Sequence, residues 1–229
     1  MPVLAWLIAA AFAVAGLAPI LRGTLRQPIV WMLAALGGLA FLITQWVGRA
    51  LWTPVAVTFS IPDVGAGLVV HLFVMAALGE ALKVAPVLVL GHSQPTPVGD
   101  WFVYGAAIGA GFGLVGAQLI IALTLAASTL PVSSVGSAAL AVALRLFPVL
   151  AHIATTAWLA WATPRDRFGV TFLIVVLVQT ALGLVERGAG ALGLPVGGLL
   201  LAALAAALYL YVWLLPAPAA NRPARLLPD

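Results

Sequence analysis

The chain has 229 residues, of which 64% are hydrophobic and only 7% charged, with ten Lys and Arg against six Asp and Glu and a net charge of +4. An ordinary soluble domain carries about 25% charged residues, so this composition excludes a water-facing globular surface and leaves lipid as the solvent. Cysteine is absent, which excludes disulfides, Cys-ligated zinc or iron–sulfur sites and covalent C-x-x-C-H haem attachment.

At roughly 20 residues per span, the composition predicts an all-α, polytopic transmembrane helical bundle of about seven spans, forming a single domain with no room for a soluble one. The first apolar run covers about 3–20. It begins Met1-Pro2-Val3-Leu4 without a basic segment, so it reads as a true span and not as a cleaved signal peptide. Arg22-Gly23-Thr24-Leu25-Arg26 separates it from the second run, about 28–48. The stretch from Arg49 to Asp63, with Trp52, Phe59 and two prolines, reads as a loop or an interfacial segment over 50–62.

The third run, about 64–90, is closed by Gly91-His92-Ser93-Gln94-Pro95-Thr96-Pro97. The fourth, about 101–125, carries Gly105, Gly109 and Gly113 at intervals of four, with Gly111 and Gly116 beside them. Small residues at that spacing form a flat stripe for close helix packing, which places this helix at the centre of the bundle. The fifth run is about 135–162. Pro164-Arg165-Asp166-Arg167 and Glu186-Arg187-Gly188 bound the sixth, about 169–185. The seventh, about 192–215, leads into a short tail over 216–229.

With seven spans, Arg22, Arg26, Arg165, Arg167, Arg222 and Arg225 share one side, and Arg49 and Arg187 the other. Basic loops stay cytoplasmic, so the N-terminus is expected outside and the C-terminal tail in the cytoplasm of a multi-pass cell (inner or plasma) membrane protein. The basic residues thus serve topology, and nucleic acid is not an expected partner. The expected partners are the lipid bilayer and other integral membrane proteins. Trp6, Trp31, Trp52, Trp101 and Trp213 sit near span ends, where indole rings anchor at the interface or contact protein.

An ionisable residue at membrane depth needs a partner and marks a functional candidate. Glu80 and Lys83 in the third span, Arg145 and His152 in the fifth, and more weakly His71 meet that description. Glu80 and Lys83 are three apart and can neutralise one another on one helix face. Arg145 and His152 are seven apart, two turns along one face. Counting at 1.5 Å per residue puts Glu80 and His152 at similar depth. There a carboxylate and an imidazole can bind a metal, relay a proton or simply hydrogen-bond. His71, nine residues from Glu80, points away and reads as an interfacial or packing histidine.

The run Gly79-Glu80-Ala81-Leu82-Lys83, then Tyr104-Gly105-Ala106-Ala107-Ile108-Gly109-Ala110-Gly111-Phe112-Gly113, then Arg145 and His152, resembles the PrsW-type intramembrane protease family. That family is distant kin of the CAAX prenyl-protease and bacteriocin-processing membrane proteins. The resemblance covers about 64–162 and implies peptide hydrolysis by water activated beside carboxylates and imidazole, with or without a metal. The family's pattern has Glu-Glu-x-x-Lys, a Tyr-Gly…Gly-x-Gly-Phe segment closing on Glu, and a later His. Its first Glu falls on Gly79 and its last on Gly116, so matching positions remain at Glu80, Lys83 and His152.

A catalytic zinc takes three protein ligands plus water. Glu80 and His152 supply two, and Gln118 or His71 are the nearby candidates for a third. The resemblance therefore implies the fold with a degenerate site: a pseudoenzyme acting as an accessory or scaffolding subunit or a binder of membrane proteins, without a cofactor. The alternative is an active intramembrane (metallo)protease using Glu80 and His152, in which zinc has a place. A third reading is a transporter or a small-molecule site, including pigment or haem ligation by His71, His92 or His152.

Overall fold

The computed structural model describes residues 7, 11, 13–16, 24, 27–62, 64–93, 98–127, 135–192 and 194–214. Most of the expected first span, the tail over 216–229, and the side chains of His92 and Arg145 lie outside the described residues. Among those described, the structure is built from helices: α1 (Pro28–Thr58), α2 (Gly65–Ser93), α3 (Val98–Ala127), α4 (Val135–Ala162), α5 (Phe168–Leu192) and α6 (Leu194–Leu214), with a 3₁₀ turn Thr163–Arg165 after α4. Five helical segments are long and apolar enough to cross a membrane: Pro28–Thr58, Gly65–Gly91, Gly99–Leu119, Leu146–Arg165 and Phe168–Gly188. Gly198–Leu214 forms a shorter apolar helix. These are the helices of a membrane protein.

The helix boundaries follow local chemistry. Pro28 starts α1 with its ring at the first turn, where a missing N–H costs nothing. The stretch over 50–62, expected as a loop or an interfacial segment, begins with about three more turns of α1, to Thr58. Arg49, Ala50 and Leu51 are good helix formers, so the charge ends the apolar run without ending the helix. At 31 residues the helix is about 46 Å long, against about 30 Å of hydrocarbon. It stops where Ser60 takes a left-handed φ of 48°. The extension packs on the start of α2: the Trp52 ring stacks on His71, centroids 4.8 Å apart and 11° from parallel. Helix α2 likewise runs on through Gly91 to Ser93 before the Pro-containing segment.

Helix α3 is the hub. Its apolar window is the most buried of the five, and its most extensive contacts are with α4 on one side and α1 on the other. The glycines set both approaches. A Cβ on Gly105 would run into the Thr156 carbonyl and Ala160, one on Gly109 into the His152 carbonyl, and one on Gly113 into the Val149 Cα at 2.8 Å, all on α4. Gly111 faces the Ala34 carbonyl of α1. The stripe thus serves two neighbours, with Gly111 turned opposite to the other three.

Farther out, α4 meets α6, and α5 packs on α2 and α6. Residues 13–16 are helical; Gly16 lies against Leu150 and Ile153 of α4, and its carbonyl accepts from the Tyr209 hydroxyl of α6. Outward faces are apolar, with Leu39, Leu42, Ile43 and Trp46 on α1 and Val170, Leu173, Ile174 and Leu177 on α5 exposed, as a lipid-facing surface requires.

Candidate functional site

Two buried ionisable residues of α2 and a group of polar residues of α4 and α5 converge on one place. Glu80 and Lys83 lie one turn apart on α2, each 1% exposed, and the Lys83 ammonium donates to Glu80 Oε1 at 2.5 Å. Both point at α4, where Lys83 Nζ also reaches His152 Nδ1 at 3.4 Å. Gln179, near the middle of the α5 span, donates from Nε2 to the same Nδ1 at 3.1 Å and to Thr155 Oγ1 at 2.9 Å. Thr155, one turn beyond His152, donates to the Ala151 carbonyl at 2.9 Å and lies 3.4 Å from Glu80 Oε1. An ammonium has no acceptor and the amide nitrogen only donates, so His152 Nδ1 is the acceptor and a neutral ring carries its proton on Nε2.

Phe112 of α3 roofs this network. Lys83 Nζ is 4.7 Å from its ring centroid, a cation–π distance. The ring meets His152 edge-on at 4.9 Å and Phe41 of α1 edge-on at 5.2 Å. In hydrocarbon every polar group must find a partner inside the protein, and nearly all here do. The exception is Glu80 Oε2, buried and without a hydrogen-bond partner.

Beside this oxygen lies a cavity of about 240 Å³. Its floor is Glu80, Lys83, His152 and Gln179, and its walls are Phe41, Thr44, Met75, Phe112, Leu182 and Leu201. Gln45, Leu72 and Glu186, half-buried, also line it. Gly79 and Gly116 both line it. A Cβ on Gly79 would meet Phe112 Cζ at 3.3 Å, and one on Gly116 would meet Phe41 Cε2 at 2.9 Å.

Of the residues singled out from sequence, Glu80, Lys83 and His152 come together here. His71 does not; it is engaged with Trp52 at the helix end. Gln118 is buried but is not among the cavity-lining residues, and Arg145 lies outside the described side chains. Among the described residues no three His, Cys, Asp or Glu gather as metal ligands. Lys83 occupies the space between the two candidate ligands, Glu80 and His152.

Sequence reasoning overlooked Gln179, Thr155 and the ring of Phe112. Gln179 carried a readable signal, a carboxamide in the middle of an otherwise apolar span, to which the argument made for ionisable groups applies with less force. Comparison with protein-family models, with characterised proteins and with solved structures finds no match to this chain.

Proposed function

We propose that this chain is a multi-pass membrane protein on a bundle like that of PrsW-type intramembrane proteases, with a polar centre closed to hydrolysis. In this reading it works by contact, as an accessory or scaffolding subunit of a membrane complex or as a binder of other integral membrane proteins. Seven spans with the N-terminus outside and the tail in the cytoplasm belong to the same reading. The observation that carries it is the place of Lys83. Its ammonium is held at 2.5 Å by Glu80 and at 3.4 Å from His152 Nδ1, so one oxygen of the carboxylate and one nitrogen of the imidazole are engaged with a cation where a metal would have to bind. The two glycines add support: positions where the resembling family has glutamates face the cavity with aromatic rings against them.

The test is metal content and cleavage together. The protein, gently purified, is expected to carry well under one zinc per chain, with no cleavage of membrane peptides that depends on Glu80. About one zinc per chain, lost in His152→Ala, overturns the reading.

One observation favours a second reading, an active intramembrane endopeptidase. Glu80 lines a cavity and its Oε2 has no hydrogen-bond partner, and a carboxylate oxygen reached by water there would take its proton as a general base. Cleavage of a membrane peptide that disappears in Glu80→Gln would establish that activity.

A further inference from the structure

Hydrogen counting at the cavity floor leaves a defined remainder. Lys83 donates to Glu80 Oε1, lies 3.4 Å from His152 Nδ1, whose single lone pair faces the nearer Gln179 amide, and sits beneath the Phe112 ring. Both amide hydrogens of Gln179 are engaged, at His152 Nδ1 and Thr155 Oγ1. Unmatched is the acceptor Glu80 Oε2, which is buried and partnerless; beside it a neutral His152 carries a donor on Nε2, and the Gln179 side-chain carbonyl is a further acceptor. An orphaned buried oxygen is destabilising, more so if charged. Glu80 and His152 both line the same cavity.

We propose that this cavity is a binding site for a small uncharged molecule bearing a hydroxyl on an apolar body. A hydroxyl is the simplest group that donates once, to Glu80 Oε2, and accepts once, from His152 Nε2–H. Charge argues against the ionised alternatives. Lys83, 2.5 Å from Glu80, already neutralises the carboxylate at the floor, so an ammonium ligand there meets a buried cation and a carboxylate ligand a buried anion; the second carboxylate of the lining, Glu186, is half-buried and engaged within the protein. The walls argue for an apolar body: Phe41, Phe112, Leu72, Met75, Leu182 and Leu201 surround the volume. At about 240 Å³ the cavity falls just below the range that holds drug-sized ligands, and an apolar cavity of about 150 Å³ is enough for benzene. A ligand of one substituted ring fits that scale.

This inference rests on reading Glu80 and Lys83 as a closed, neutral pair. The test uses the full chain in dodecyl maltoside micelles and 4-fluorobenzyl alcohol followed by ¹⁹F NMR, with empty micelles as the blank. 4-Fluorotoluene and 4-fluorobenzylamine share its ring. The alcohol is expected to bind saturably, to be displaced by unlabelled benzyl alcohol, and to bind at least ten-fold more tightly than the toluene after the micelle blank is subtracted. Ala76→Phe, which fills the cavity from α2, is expected to abolish saturable binding, and Glu80→Gln to erase the preference over toluene.

Binding no different from empty micelles overturns the proposal, as does equal affinity for alcohol and toluene or tighter binding of the amine. Displacement by benzyl alcohol is read on the wild type, so the proposal stays exposed even if a variant fails to fold. Failure of the neutral-pair reading shows differently: it appears as Glu80-dependent peptide cleavage or bound zinc, whatever the probe does.

Discussion

Replacing Lys83 with Met keeps the side chain's length and removes its charge. In the wild type Glu80 and Lys83 are each 1% exposed, and Glu80 Oε1 has a 2.5 Å bond to the ammonium and a 3.4 Å contact with Thr155. Without Lys83 the carboxylate keeps only the Thr155 contact, and its other oxygen had no partner to begin with. Breaking a buried pair from one side costs about 3–5 kcal/mol, and Lys83→Met is expected in that range. Glu80→Gln is milder, about 1–3 kcal/mol, because the ammonium keeps His152 at 3.4 Å and the face of Phe112 at 4.7 Å. The double variant buries no unpaired charge, so the two losses do not add. A coupling of about 2 kcal/mol is expected, within the range for contacting pairs. SDS titration in mixed micelles, reporting loss of helical tertiary structure for all four proteins, measures it. Strictly additive losses would refute the claim that the two charges are bound to each other inside the bundle.

Three further outcomes follow from the packing. Gly111→Leu drives a side chain into the Ala34 backbone of α1, and overpacking of this kind costs about 1–3 kcal/mol, read as a lower thermal midpoint and weaker SDS resistance. Gly188→Ala, in a helix with nothing within 4 Å of the new methyl, is expected to stabilise by about 0.5–1 kcal/mol, and a loss there would contradict the open space. Arg165→Ala removes a 2.7 Å bond to the Trp161 carbonyl and a guanidinium 3.9 Å from its ring. It is expected to cost about 1 kcal/mol and to shift tryptophan emission, an effect absent in the neighbouring Arg167→Ala.

How far each feature could be read from sequence depends on whether it is set along one helix or between helices. Glu80 and Lys83 pair through their three-residue spacing, a property of α2 alone. That His152 sits level with them follows from counting residues against the helix rise, and the contact from Lys83 to His152 occurs at that depth. Gln179 needs one more variable, the rotation of α5 about its own axis, which no spacing within 169–185 determines. The glycine stripe is similar. Intervals of four mark Gly105, Gly109 and Gly113 as a packing face, but Gly111 facing Ala34 on the other side shows that α3 has two close neighbours, and a single-helix pattern does not say how many. The end of α1 was hidden for a different reason. Hydropathy ends at Arg49, whereas the backbone bonds continue to Thr58, because helix formation depends on propensity and packing, here of Trp52 on His71, and not on apolarity.

The cavity and the aromatic pair above it can be understood as one arrangement. Gly79 on α2 and Gly116 on α3 both open onto the cavity, and neither has room to spare: Phe112 stands 3.3 Å from one notional Cβ and Phe41 stands 2.9 Å from the other. The two rings meet edge to face at 5.2 Å, an arrangement worth about 0.5–1.5 kcal/mol beyond the area it buries. A carboxylate at either glycine would have to displace a ring that also packs on its partner, and in Phe112's case a ring that faces Lys83 and His152 as well. The glycines and the phenylalanines are therefore mutually dependent, and a side chain added at one glycine does not by itself bring a second carboxylate to Glu80. What remains at the centre is a single carboxylate, held on one oxygen by Lys83 and buried without a partner on the other. Among the described residues no three His, Cys, Asp or Glu come together there, and the partnerless oxygen sits on a residue that lines a cavity walled largely by aromatic and aliphatic side chains.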